Sequence, residues 1–187
     1  GRAGGVLIAS GQASRWMAEH DLSSARFLGE EEADGEGEAE AEEPAGEPVD
    51  PPASYDDINT WDAEVRIAGA VFEGRADIAH PLLFGLRDTS LALTKLGSDA
   101  FAPSDNPFAL PVRYAEGDPL LAGYASEENR EALQGAGAVH AERRGQGSVI
   151  LFVDNPVFRA YHKGTQRVVT NAIFFGDDFR NPSRRLE

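Results

Sequence analysis

The sequence predicts an α/β fold, a mixed sheet with helices on both faces, on three observations. Val149-Ile150-Leu151-Phe152-Val153 is an unbroken apolar run without alternation, the pattern of a strand buried on both faces. Gly4-Gly5-Val6-Leu7-Ile8-Ala9 reads the same way, and each run leads into a helical pattern. Ala138 to Arg143, joined to the second run by Gly145-Gln146-Gly147, reads as an antiparallel hairpin partner, so the sheet is mixed rather than wholly parallel.

In chain order, the first strand is followed by Ala13, Trp16, Met17 and His20, which recur at helical spacing and predict an amphipathic helix. Ile67 to Phe72 predicts a strand, Asp77 to Pro81 a turn, and Leu82 to Gly85 a short apolar return. Leu91 to Leu96 predicts another strand, Pro103 to Pro107 a loop, and Ala109 to Tyr114 a further extended piece. Ser126 is placed as the N-cap of a helix reaching about Leu133, with Glu127 and Glu128 at its positive end. After the strand from Val149, Asp154-Asn155-Pro156 ends the run. Gly164-Thr165 then opens a helix with Val168, Val169, Ala172 and Ile173 on one face and Gly176 as its stop.

The net charge of −15 is concentrated. Residues 30 to 52 hold eleven acidic residues and no basic one, which leaves the remainder of the chain at −4. A mildly acidic body offers no electrostatic footprint for nucleic acid. The acidic run cannot bury apolar surface, so it is expected to be a disordered insertion. Its carboxylates are too irregularly spaced for a calcium loop. The chain has no cysteine, which excludes disulfides, thiolate catalysis and cysteine-bound metal. No apolar run reaches the roughly 20 residues of a membrane span.

Three phrases together carry a resemblance: Ala79-His80-Pro81-Leu82-Leu83-Phe84-Gly85; Pro119-Leu120-Leu121-Ala122-Gly123-Tyr124 with Ser126-Glu127-Glu128-Asn129; and the segment from Gly145 through VILFVDNPVFRAYHKGTQRVVTNAIFFG. With Gly4 to Ile8 and the Trp16 helix, they resemble the C-terminal domain of large bacterial zinc carboxypeptidases. The resemblance covers about residues 4–22 and 60–176. It implies a flavodoxin-like fold similar to class I glutamine amidotransferases, following a separate peptidase domain that holds the zinc. It also implies a secreted or periplasmic location. The family's zinc motif is absent: His20, His80, His140 and His162 are followed three residues later by Ser23, Leu83, Arg143 and Thr165, so no His-x-x-Glu exists and no metal ligand is assigned.

Three residues are weighed for chemistry. Ser10 stands at a strand-to-helix junction, the place of a nucleophile elbow, but Ile8-Ala9-Ser10-Gly11-Gln12 lacks the flanking glycine pattern and favours a helix N-cap. His80, three residues after Asp77, could serve as an oriented base or hold backbone in a turn, and without an identifiable nucleophile the turn role is preferred. His140, on the hairpin strand, is expected to face solvent. Arg159, beside Phe158 and Tyr161 after the last long strand, is placed where open α/β sheets bind ligands and could hold a carboxylate or phosphate.

The expected organisation is residues 1–29 as the start of an N-terminally truncated α/β domain, 30–54 as the acidic insertion, 55–176 as the remainder and 177–187 as a polar tail. The leading functional expectation is a non-catalytic accessory domain that contacts its own upstream peptidase domain. The alternatives are a peptide or small-molecule binding module and an amidotransferase-like hydrolase using Ser10 and His80. Truncation would leave an apolar sheet edge open to self-association. Deleting residues 30–52 is expected to leave the melting temperature nearly unchanged. A fall of more than several degrees would show that the segment packs, because about 1 kcal/mol moves a domain of this size by roughly 2–4 °C.

Overall fold

The structure is a computed structural model, and it describes residues 4–30, 52 and 54–179. Most of the expected disordered insertion over 30–54, namely residues 31–51 and 53, lies outside the described residues, as does the end of the expected polar tail. The elements are β1 (Val6–Ser10), α1 (Gln12–Glu19), α2 (Ile58–Val65), β2 (Ala70–Ala76), β3 (Ser90–Lys95), β4 (Val112–Tyr114), β5 (Leu120–Gly123), α3 (Glu127–Leu133), β6 (Gly137–Arg144), β7 (Gly147–Phe152) and α4 (Lys163–Phe175). The expected α/β class with a mixed sheet is what is found. Among the described residues seven strands form one sheet in the order β1-β7-β6-β4-β2-β3, with β5 also on β2.

Only β1 and β7 pair in parallel, Val6 opposite Ser148 through Ser10 opposite Phe152. The β6–β7 hairpin and the β2–β3, β2–β4, β2–β5 and β4–β6 ladders are antiparallel. It follows that β1, β7, β4 and β3 run in one direction, and their carboxyl ends lie at one end of the sheet.

The unalternating strand β7 is explained by two packed faces. Ile150 and Phe152 enter the larger core with Val168 and Ala172 of α4, whereas Val149, Leu151 and Val153 pack with Met17 of α1, Phe27 and Phe101. The long core of β6 and β7 is completely buried except at the Arg143–Arg144 turn. Helix α3 starts as its sequence demands, with Ser126 Oγ accepting the Asn129 N–H at 3.2 Å.

Several expectations are corrected. Strand β1, whose run reads as buried on both faces, is half-exposed, with Leu7 48% accessible, and among the described residues it is paired on one side only. The inward face of α1 is Ser14 and Met17, while Trp16 is 52% exposed and stacks on His20 at 4.4 Å. On α4, Ile173 is 63% exposed and does not share the buried face of Val168 and Ala172. Residue 177 does not open a wholly polar tail, because Phe179 is buried against the His80 ring at 5.1 Å. Both α2 and the short β5 lack a sequence pattern strong enough to announce them. The first is tied to α3 by Ser126 Oγ and Asn129 Nδ2 donating to the Glu64 carbonyl, at 3.1 and 3.0 Å.

Gly147 opens β7 where the backbone of Gly5 comes closest. A Cβ there would lie 2.5 Å from the Gly5 carbonyl oxygen, closer than any side chain can settle. Gly147→Ala is therefore expected to cost about 1–3 kcal/mol, the range for overpacking. Faster amide exchange should appear first along Val6–Ser10, and unchanged protection of that strand would overturn the assignment.

Candidate functional site at the carboxyl end of the sheet

Three strands lie between β7 and β3 in the sheet order, yet their carboxyl ends meet, so the sheet curls around α4. Lys95, the last residue of β3, has a side chain wholly removed from solvent, and its Nζ donates to Asp154 Oδ2 at 3.1 Å just past β7. The same ammonium donates to the Asp99 carbonyl and lies 5.7 Å from the Tyr114 ring centre. Asp154 also accepts the Leu96 N–H at 2.9 Å on its other oxygen and faces the Tyr114 hydroxyl at 3.4 Å.

Burial sets the electrostatics of this trio. It lowers the Lys95 pKa, opposed by the Asp154 charge and hydrogen bond. It raises that of Asp154, opposed by the Lys95 charge and hydrogen bond and by the bonds from Leu96 and Tyr114. Burial and the Asp154 charge both push the Tyr114 phenol up. Each charge offsets part of the other's burial, and an unpaired charge at such depth costs several kcal/mol.

Beside the trio a cavity of about 30 Å³ opens between the sheet and the start of α4. Leu93, Val112, Ala138, Phe152, Phe158 and Val168 give it an apolar wall, and Asp154, Asn155, His162 and Thr94 stand among its polar groups. The His162 Nε2 and Thr94 Oγ1 are hydrogen-bonded at 3.0 Å. Asn155, Pro156 and Phe158, from the loop after β7, also line the cavity. Within that loop Arg159 (φ 47°) and Ala160 (φ 55°) both adopt the left-handed conformation, costly for residues with a Cβ. Arg159 is exposed, with its guanidinium 5.4 Å from the Phe158 ring centre. It makes no ion pair or hydrogen bond among the described residues.

Ser10 and His80 are not brought together. His80 follows β2, which runs opposite to β1, so the two residues lie at opposite ends of the sheet. The His80 Nδ1 accepts the Leu82 N–H at 3.2 Å, and burial lowers its pKa against the Asp77 charge. Nor is Ser10 the helix N-cap. Gly11 is, at φ 57° and ψ −132°, with its N–H donating to the Phe152 carbonyl at 3.0 Å. This is the sharp strand-to-helix turn of an elbow, and its vertex residue has no side chain.

His140 corrects the sequence reading most strongly. It is 1% exposed, faces Phe101 at 5.8 Å, and neither ring nitrogen has a hydrogen-bond partner. The alternation rule failed there because the segment carrying Phe27 and Phe101 covers the face that a hairpin usually leaves to water. Burial lowers the His140 pKa, opposed by Glu142. On Glu142 itself burial acts to raise the pKa, but the Ser24 side-chain and backbone hydrogen bonds lead the opposing contributions and the net shift is downward. The four histidines are dispersed, and among the described residues no three His, Asp or Glu side chains converge as a metal site. These residues do not fit a zinc centre.

No protein-family model, no curated protein and no solved structure matches this chain.

Two predictions follow from the buried groups. Asp154→Asn leaves Lys95 buried without its counter-charge and is expected to destabilise by about 3–5 kcal/mol, measured by chemical denaturation. His140→Leu removes two unsatisfied buried nitrogens and is expected to stabilise by about 1–3 kcal/mol. Because the folded pKa of His140 lies below its unfolded value near 6.5, the unfolded chain binds the extra proton below that pH. Stability should fall with acidification from about pH 6.5, by up to ~1.4 kcal/mol per pH unit for each such histidine. The leucine variant should show a shallower slope than the parent, and an equal slope would remove His140 from the account.

Proposed function

We propose that this chain is a non-catalytic accessory domain of the flavodoxin-like, glutamine-amidotransferase-like kind, belonging to a zinc carboxypeptidase-like protein whose zinc site lies in a separate peptidase domain. The observation that carries the non-catalytic reading is Gly11 at the vertex of the elbow. Acyl-transfer chemistry of this kind needs a nucleophile at that vertex and a base within about 3 Å. Here the vertex has no side chain, and the candidate pair Ser10 and His80 is separated by the length of the sheet.

The flavodoxin-like part of the reading asks for parallel strands beyond β1. It draws support from the outer edge of β1, which is unpaired among the described residues, and from the exposure of Leu7 on that strand, Trp16 on α1 and Ile173 on α4. An apolar edge of this sort suits close attachment to another part of the same protein, for which the peptidase domain is the proposed occupant. Proteolysis by the parent and a secreted or periplasmic setting rest on the resemblance in sequence.

The test measures zinc content and release of C-terminal amino acids from peptides, for this chain and for a longer chain that includes the upstream sequence. Both activities are expected only in the longer chain. Hydrolysis by this chain that disappears in Ser10→Ala would overturn the non-catalytic reading, and a longer chain without zinc would overturn the parentage.

A further inference from the structure

We infer that the cavity at the carboxyl end of the sheet is a binding site for a small carboxylate with a short branched apolar tail, the tail entering the cavity and the carboxylate held by Arg159. This site goes beyond the accessory role and does not depend on it.

Four observations converge. The cavity wall is apolar on both sides, from Leu93, Val112 and Ala138 on the sheet to Val168 on α4. The polar groups around it are already matched to one another: His162 with Thr94, and Asp154 with Lys95, Tyr114 and the Leu96 N–H. A guest therefore needs no polar group in its buried part, and one placed there would lose its own hydration without return. With about 30 Å³ free, the cavity admits a few carbon atoms, so the tail is an isopropyl or isobutyl group rather than an aromatic ring.

The charge of the guest is set at the rim. Arg159 is exposed and unpaired among the described residues, in a chain of net charge −15, and it rests on Phe158, whose ring lines the cavity. Its planar fork suits a carboxylate in bidentate geometry. The positive end of α4 begins at Lys163 on the same rim and adds potential of the same sign. Asp154 lies deeper, with its charge satisfied by Lys95, so it does not oppose an anion at the mouth. Arg159 and Ala160 both hold the left-handed conformation in the loop whose Asn155, Pro156 and Phe158 line the cavity, and strained loops cluster at ligand sites.

The experiment is an amide chemical-shift titration with isovalerate, isovaleramide and N-acetyl-alanyl-valine, each taken to about 50 mM, past the weakest binding expected of about seven well-placed heavy atoms. The acid should shift amides of residues 154–165 and bind at least about tenfold more tightly than the neutral amide. Arg159→Ala should bring acid and amide to equal affinity. Ala138→Val, which places two methyl groups in the cavity, should abolish both. If the valine variant does not fold, the arginine variant decides alone. Acetyl-alanyl-valine binding as well as isovalerate would identify a peptide C-terminus as the source of the carboxylate, and isovalerate alone a free metabolite. Equal affinity of acid and amide for the parent chain, shifts confined to other regions, or no shift at all would overturn the proposal.

Discussion

The Lys95–Asp154 pair is the interaction on which the rest depends. It joins the ends of two strands that lie far apart in the sheet order, and it can do so only if the sheet curls around α4. An ammonium with no exposure tolerates its site because each of its donors is directed: to Asp154, to the Asp99 carbonyl and towards the Tyr114 ring. A well-packed apolar pair could match such an arrangement in stability. What the ions add is direction. They also set where the 96–101 connection leaves β3, and so where Phe101 bridges to Phe27 and Gly137 and closes the second face of the sheet.

That closure makes the two sides of the molecule unequal. On one face α4 lies in the hollow of the curled sheet, with Gly164 so near Leu91 that a Cβ would meet Leu91 Cδ2 at 2.5 Å. On the other, the short α1 covers only part of the sheet, and irregular chain around Phe27 and Phe101 completes the layer. Where both coverings run out, at β1, Leu7 is exposed and among the described residues the outer backbone edge has no strand beside it. Charged or bulged edges are the usual protection against pairing. Val6–Ser10 carries no charge, so this edge is suited to being covered.

The sequence displayed those parts whose signal is local. The hairpin, the capped helix α3 and helix α4 were legible from turn glycines, the Ser126 cap and 3.6-residue spacing. The Lys95–Asp154 pair was not, because a lysine closing an alternating strand reads as solvent-facing and nothing in the sequence points to a partner 59 positions away. His140 was misread for a related reason: period-two alternation shows which residues share a face but not what covers that face. The candidate site was half legible. Arg159 was located by its place after a long strand, whereas the cavity beneath it is assembled from β3, β4, β6, β7 and α4 and has no sequence signature.

Gly11 and Arg159 bear on function in opposite ways, although both stand at the carboxyl ends of strands that run together. The turn after β1 has the backbone shape of a catalytic elbow with only hydrogen at its vertex. The loop after β7 carries a cost in backbone conformation at Arg159 and Ala160, which glycine at either position would relieve. That cost is carried in the loop whose Asn155, Pro156 and Phe158 line the apolar cavity, so the strained backbone and the cavity belong to one end of the sheet. The proposed recognition of a carboxylate without its transformation would need a cation, a small hollow and no nucleophile, and this end of the sheet offers Arg159, the cavity and a glycine vertex.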